Sequence, residues 1–130
     1  MKVHSQTDVG LVRTLNEDAC RTGLLGENGA WAVVCDGMGG ANGGEIASET
    51  AVKSIEEQIL ASYEEDFKSE EMKLMLSTLI FHANSAVYDM AQENESLKGM
   101  GTTIVVAIVL DNVAHIAHAG DSRAYLLHNG

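Results

Sequence analysis

Trp31-Ala32-Val33-Val34-Cys35-Asp36-Gly37-Met38-Gly39-Gly40-Ala41-Asn42-Gly43-Gly44 is the stretch on which the fold turns. Its first five residues form a short apolar run suited to a buried strand. The run ends on a carboxylate, Asp36, and then on a loop holding five glycines between residues 36 and 44. Glycine serves where the backbone must take positive φ or approach another group closely. Two readings stay open. The loop is a plain strand-to-helix turn, or its backbone carbonyls join Asp36 as oxygen ligands for a hard cation such as Mg2+ or Mn2+. It is not a phosphate-binding P-loop, because no Gly-Lys-Ser/Thr follows.

Outward from this stretch, residues 18–24 and 2–6 read as short strands, and Gly26-Glu27-Asn28-Gly29 as a turn. On the other side a helix is expected over 45–60, with Ala51, Val52, Ile55 and Ile59 along one stripe. A charged connection spans 63–68. Ser69 is then the expected N-cap, with Glu70 and Glu71 at the positive end of the next helix dipole. That helix sets Met72, Met75, Leu76, Leu79, Ile80, Ala83, Val87 and Met90 on one face. After Gly99 the period changes. Residues 103–110 are a continuous β-branched run, Asp111-Asn112 a tight turn, 113–119 a returning strand and 122–128 a third. Strands, two helices and more strands in hairpins make an α+β pattern with antiparallel sheets. Asn129-Gly130 is a hairpin signal, which implies a further returning strand and a chain cut in mid-fold.

The 130 residues suffice for one modest domain. Apolar residues at 45% and charged residues at 21% fit a globular chain rather than a disordered one. No apolar run reaches the roughly 20 residues that span a bilayer, and the N-terminus lacks a signal-peptide pattern. The expected location is cytoplasmic. A net charge of -11, with eight scattered Lys and Arg, argues against a nucleic-acid partner. The acidity serves solubility, or a few carboxylates hold cations. Cys20 and Cys35 show no Cys-x-x-Cys spacing and are expected as buried free thiols.

Two further clusters carry chemistry. In Asp8-x-Gly10-x-x-Arg13-x-x-Asn16-Glu17-Asp18, the adjacent acids of an extended segment should face opposite sides. One then suits a metal and the other a supporting position. Arg13 offers a planar fork matched to phosphate oxygens, or a surface ion pair. In Gly101-Thr102-Thr103 with Ala119-Gly120-Asp121-Ser122-Arg123, small residues let two strands turn tightly around Asp121.

Taken in order, Asp8-Val9-Gly10-Leu11-Val12-Arg13, Asn16-Glu17-Asp18, Asp36-Gly37-Met38-Gly39-Gly40, Gly101-Thr102-Thr103 and Gly120-Asp121-Ser122-Arg123 resemble the signature of the metal-dependent, type 2C (PPM) serine/threonine phosphatases, in its small bacterial form. The resemblance spans nearly the whole chain and corresponds to the N-terminal half of that domain, residues 1–130. It implies an antiparallel β-sandwich flanked by helix pairs (α-β-β-α), incomplete at the C-terminus. It also implies two Mn2+ or Mg2+ ions, with a third, weaker one. Asp36 matches the ligand bridging both metals, Glu17 and the Gly37 carbonyl serve one of them, and Asp121 matches a residue linked to the third. Asp18 matches a supporting acid and Arg13 the residue that holds substrate phosphate.

The implied reaction is hydrolysis of protein phosphoserine and phosphothreonine by a metal-bridged water, on the substrate of a cognate kinase. Met38 stands where some members carry His as a proposed general acid, and a thioether donates no proton. His4, His82, His115, His118 and His128 have no matching role. The resemblance implies further metal aspartates from a C-terminal segment of the family, one in a Ser-Asp-Gly and one in an Asp-Asn block, and neither segment is in residues 1–130. The alternative is therefore a non-catalytic, phosphoprotein-binding or regulatory fragment.

Overall fold

β-Branched and small apolar residues dominate four segments, and each becomes a strand. In the computed structural model, which describes residues 1–64 and 67–130, the order is β1 (Asp18–Leu25), β2 (Gly29–Met38), α1 (Gly43–Ser62), α2 (Ser69–Glu93), β3 (Gly101–Thr102), β4 (Ile104–Leu110) and β5 (Val113–Ala119). The strands form one antiparallel sheet in the order β1-β2-β4-β5, with β3 pairing the end of β2. One sheet and one helix pair make an α+β fold, one β layer and one α layer of the expected arrangement.

Alternation along β2 decides which face is covered. Trp31, Val33 and Cys35 are buried under the helices, while Val34 and Met38 are exposed on the other side. Register places Val106 against Val33 and Ile108 against Trp31, so β4 adds to the same buried face. Helix α1 covers β1 and β2, and α2 packs on α1 and reaches β5. The stripe Ala51, Val52, Ile55 and Ile59 is fully buried, as its spacing predicts. Ile55→Ala is expected to cost about 3 kcal/mol through lost burial and a cavity. A urea midpoint that falls in proportion checks this, and an unchanged midpoint would contradict it.

Several local expectations need correction. Residues 2–6 and 122–128 form no strand, because neither meets a partner ladder among the described residues; Tyr125, Leu126 and Leu127 are all solvent-facing. Asn129 and Gly130 do take positive φ, 57° and 79°, the values a two-residue turn uses. Asp111 and Asn112, at 48° and 64°, form the same kind of turn between β4 and β5.

Helix α2 starts one residue before its expected cap would allow. Lys68 is the N-cap, and its N–H donates to Glu71 Oε2 at 2.7 Å. Near the end of α2, Ala91 takes the buried position expected for Met90, whose sulfur accepts from Thr50 Oγ1 at 3.6 Å. Glu65 and Asp66, in the charged connection, lie outside the described residues. Among the described residues no helix is long and apolar enough to cross a membrane.

Candidate metal and phosphate cleft

β1 opens at Asp18 and β2 runs through Asp36, and the register sets the two residues opposite each other. Directly opposed residues share a sheet face, so both carboxylates lie on the side away from the helices. A cleft of about 440 Å3 forms at this corner, and its walls include Asp8, Arg13, Glu17, Asp18, Asp36 and Gly37. Asp18 and Asp36, well separated in sequence, are thus brought together by one hairpin.

Glu17 is fixed from three sides. Its carbonyl accepts the Gly37 N–H at 3.0 Å. Its Oε1 lies against Gly44, where an added Cβ would come within 2.3 Å of it. Its Oε2 accepts from Arg13 Nη1 at 3.0 Å, with the Glu17 side chain 19% exposed and Arg13 73% exposed. Two glycines of the loop therefore have a spatial reason here: a side chain at 44 would meet the Glu17 carboxylate, and one at 37 the backbone carbonyls of Gly44 and Glu17.

Asn16 organises the approach to β1. Its Oδ1 accepts the Asp18 N–H at 3.0 Å and its Nδ2 donates to Thr7 Oγ1 at 2.7 Å. Asp8 closes a small turn by accepting the Gly10 N–H at 2.7 Å. Sequence order alone gives Asn16 and Asp8 no separate role; a contact across nine residues supplies it for Asn16 and a local turn for Asp8.

Glu17 and Asp18 do not separate as strand alternation predicts. Glu17 precedes the first residue of β1 and both acids line the cleft. Their neighbours differ: Glu17 faces Arg13 and Gly44, whereas Asp18 faces Asp36. Partial desolvation holds the Asp18 carboxyl above the usual carboxylate range, and the Asp36 charge and a hydrogen bond to it add to the rise.

Asp121 does not join this group. It is exposed on the turn after β5 and is not part of the cleft wall. Cys35, next to Asp36, turns to the helix side, where burial pushes its thiol up to about 12. Such a thiol stays protonated and offers no nucleophile. Cys20 is half-buried, and neither cysteine is bridged.

The carboxylates lining the cleft are hard oxygen donors, which suits a hard cation rather than a thiophilic one. Among the described residues no three His, Cys, Asp or Glu close around one point. One or two carboxylates with several waters is nevertheless a usual way to hold Mg2+, so the donors present fit such an ion.

Comparison with known proteins agrees with this geometry. The pattern of the family described as Protein phosphatase 2C matches residues 12–130. Serine/threonine phosphatase stp of Listeria monocytogenes is 36% identical over 99% of this chain and 51% of its own length. The chain thus spans about half the length of such relatives. The crystal structure of serine/threonine phosphatase Stp1 from Staphylococcus aureus superposes with a TM-score of 0.85 at 37% identity, covering 95% of this chain and 48% of that one. The catalytic domain of the serine/threonine protein phosphatase PstP, solved in complex with two manganese ions, gives 0.76 at 32% identity over 95% of this chain and 50% of that one. By sequence pattern and by fold, this chain belongs to the protein phosphatase 2C family.

Proposed function

We propose that the protein hydrolyses phosphoserine and phosphothreonine in protein substrates at this cleft, with Mn2+ or Mg2+ held by Glu17, Asp36 and the backbone carbonyl of Gly37. The observation that carries the reading is the convergence of Glu17, Asp36 and Arg13 on one oxygen-lined cleft. Bound there, a pair of such cations supplies a water of lowered pKa and offsets phosphate charge. Asp36, at the end of a paired strand, presents its carboxylate from a fixed backbone. Asp18, opposite it in the β1–β2 register, stands beside Asp36 as a supporting acid. Arg13 is mostly exposed and bonded at one Nη only to Glu17, which leaves fork donors for phosphate oxygens.

The net charge of -11 argues against a nucleic acid as partner, and the substrate proposed is a phosphoprotein, the product of a serine/threonine kinase. Absence of three converging ligands among the described residues favours a second reading, a phosphoprotein-binding chain without turnover. A phosphopeptide assay with Mn2+ separates them. Arg13→Ala is expected to raise KM about tenfold or more, the loss of one charge-assisted contact. Release of phosphate that is indifferent to Mn2+ would contradict the proposal, and phosphopeptide binding without release would favour the second reading.

A further inference from the structure

Asp36 occupies a defect in the sheet. On either side of it the β2 pairing keeps one register: Val34 opposes Val105 in β4, and Gly37 opposes Thr102 in β3. Continuing that register sets Thr103 opposite Asp36, yet Thr103 belongs to neither strand. A regular antiparallel pair exchanges two backbone bonds. Here only one is made, from the Thr103 N–H to the Asp36 carbonyl at 2.9 Å. The Asp36 N–H donates instead to the Thr103 side-chain Oγ1 at 3.0 Å. The Thr103 carbonyl is engaged elsewhere, by Thr102 Oγ1 at 2.9 Å.

The same Thr103 hydroxyl bonds Ser122 Oγ at 2.6 Å. Thr103, the middle group of this chain, is 4% exposed, while Ser122 is half-buried. It also explains Gly120, whose φ is +100° and where an added Cβ would lie 2.8 Å from Thr103 Cγ2. Only glycine brings the turn close enough for Ser122 to reach.

The geometry points to Thr103 and Ser122 as a positioning pair: two hydroxyls in series that hold the Asp36 backbone and tie it to the Gly120–Asp121–Ser122 turn. This rests on the reading of Asp36 as a metal ligand. A hydroxyl in place of a ladder carbonyl fixes the carboxylate's base through a side chain, so its setting depends on Thr103, 67 positions along the chain, and through it on Ser122. Groups that hold a ligand from behind commonly alter metal affinity by about 10–100-fold.

Thr103→Val keeps the shape and removes the hydroxyl; Thr103→Ser keeps the hydroxyl; Ser122→Ala removes only the outer partner. Two measurements on the full-length protein decide the matter. The first is hydrogen exchange of the Asp36 amide without metal. It should speed up about tenfold or more in Thr103→Val, less in Ser122→Ala, and return towards wild type in Thr103→Ser. The second is Mn2+ affinity by calorimetry, expected to fall about tenfold in Thr103→Val and to recover in Thr103→Ser, with Asp36→Asn as reference.

Unchanged Asp36 exchange in Thr103→Val overturns the pair. So does wild-type Mn2+ affinity in Thr103→Val while Asp36→Asn has lost it. If Asp36→Asn also binds Mn2+ as wild type does, the metal reading itself fails and the positioning role goes with it. Should Thr103→Val not fold, Ser122→Ala carries the same two tests, and no change in either one overturns the pair.

Discussion

Replacing Asp36 with Asn is expected to lower Mn2+-dependent phosphate release about a thousandfold while leaving the fold intact. Asn has nearly the same shape and keeps one oxygen, so packing is preserved; what it removes is the charge that a divalent cation needs. A bound metal supplies several kcal/mol of charge stabilisation, and about 1.4 kcal/mol corresponds to each factor of ten in rate. The substitution has a second signature that needs no substrate. The nearby Asp36 charge helps raise the Asp18 carboxyl. Without that charge the Asp18 pKa should move down towards its ordinary value, as an NMR titration of its side-chain carbon would show. Desolvation is the larger cause of the rise, so part of it should persist. An unmoved Asp18 would mean that the two carboxylates do not face each other, and a residual rate near wild type would remove Asp36 from the reaction.

Gly37→Ala is expected to cost about 3 kcal/mol or more and to lower Tm by on the order of 10 °C. The cause is space rather than conformational freedom. A Cβ at this position would fall 1.9 Å from the Gly44 carbonyl oxygen and 2.6 Å from that of Glu17. Both obstacles are backbone, so no side-chain rotation relieves them. The strand end and the start of α1 must separate, which also pulls on the Glu17–Gly37 hydrogen bond that shapes the cleft. Gly40→Ala is the control. A Cβ there meets nothing within 4 Å, and its effect should stay within about 0.5 kcal/mol. Equal Tm values for the two variants would contradict the close approach of residues 17, 37 and 44.

The difference between those glycines shows what a sequence can and cannot reveal. Five glycines near Asp36 announce a tight turn, but their separate duties depend on what lies across from each. The same holds for the strands. β2 and β4 are legible because a continuous β-branched run is buried on one face whatever its neighbours. Residues 122–128 have comparable β propensity and form no strand, since a strand exists only where a second chain segment accepts its hydrogen bonds. Met90 and Ala91 exchange places because helical spacing fixes a stripe only to within a residue at its edge.

At the site, Arg13, Glu17, Asp18 and Asp36 are legible as residue types, and a single β1–β2 hairpin unites them. Strand alternation fails for Glu17 because the strand begins after it. Thr103 is hidden for another reason: its hydroxyl stands in for a backbone carbonyl, and threonine at the opening of a strand looks like ordinary β propensity.

The central claim is that Glu17 and Asp36 together grip a divalent cation at this corner of the sheet. Anomalous diffraction at the manganese edge, from crystals grown with Mn2+, tests it without reference to catalysis. The predicted result is a peak within coordination distance, about 2–2.5 Å, of both carboxylates. Density for Mn2+ only elsewhere on the acidic surface, with Glu17 still paired to Arg13, would contradict the claim.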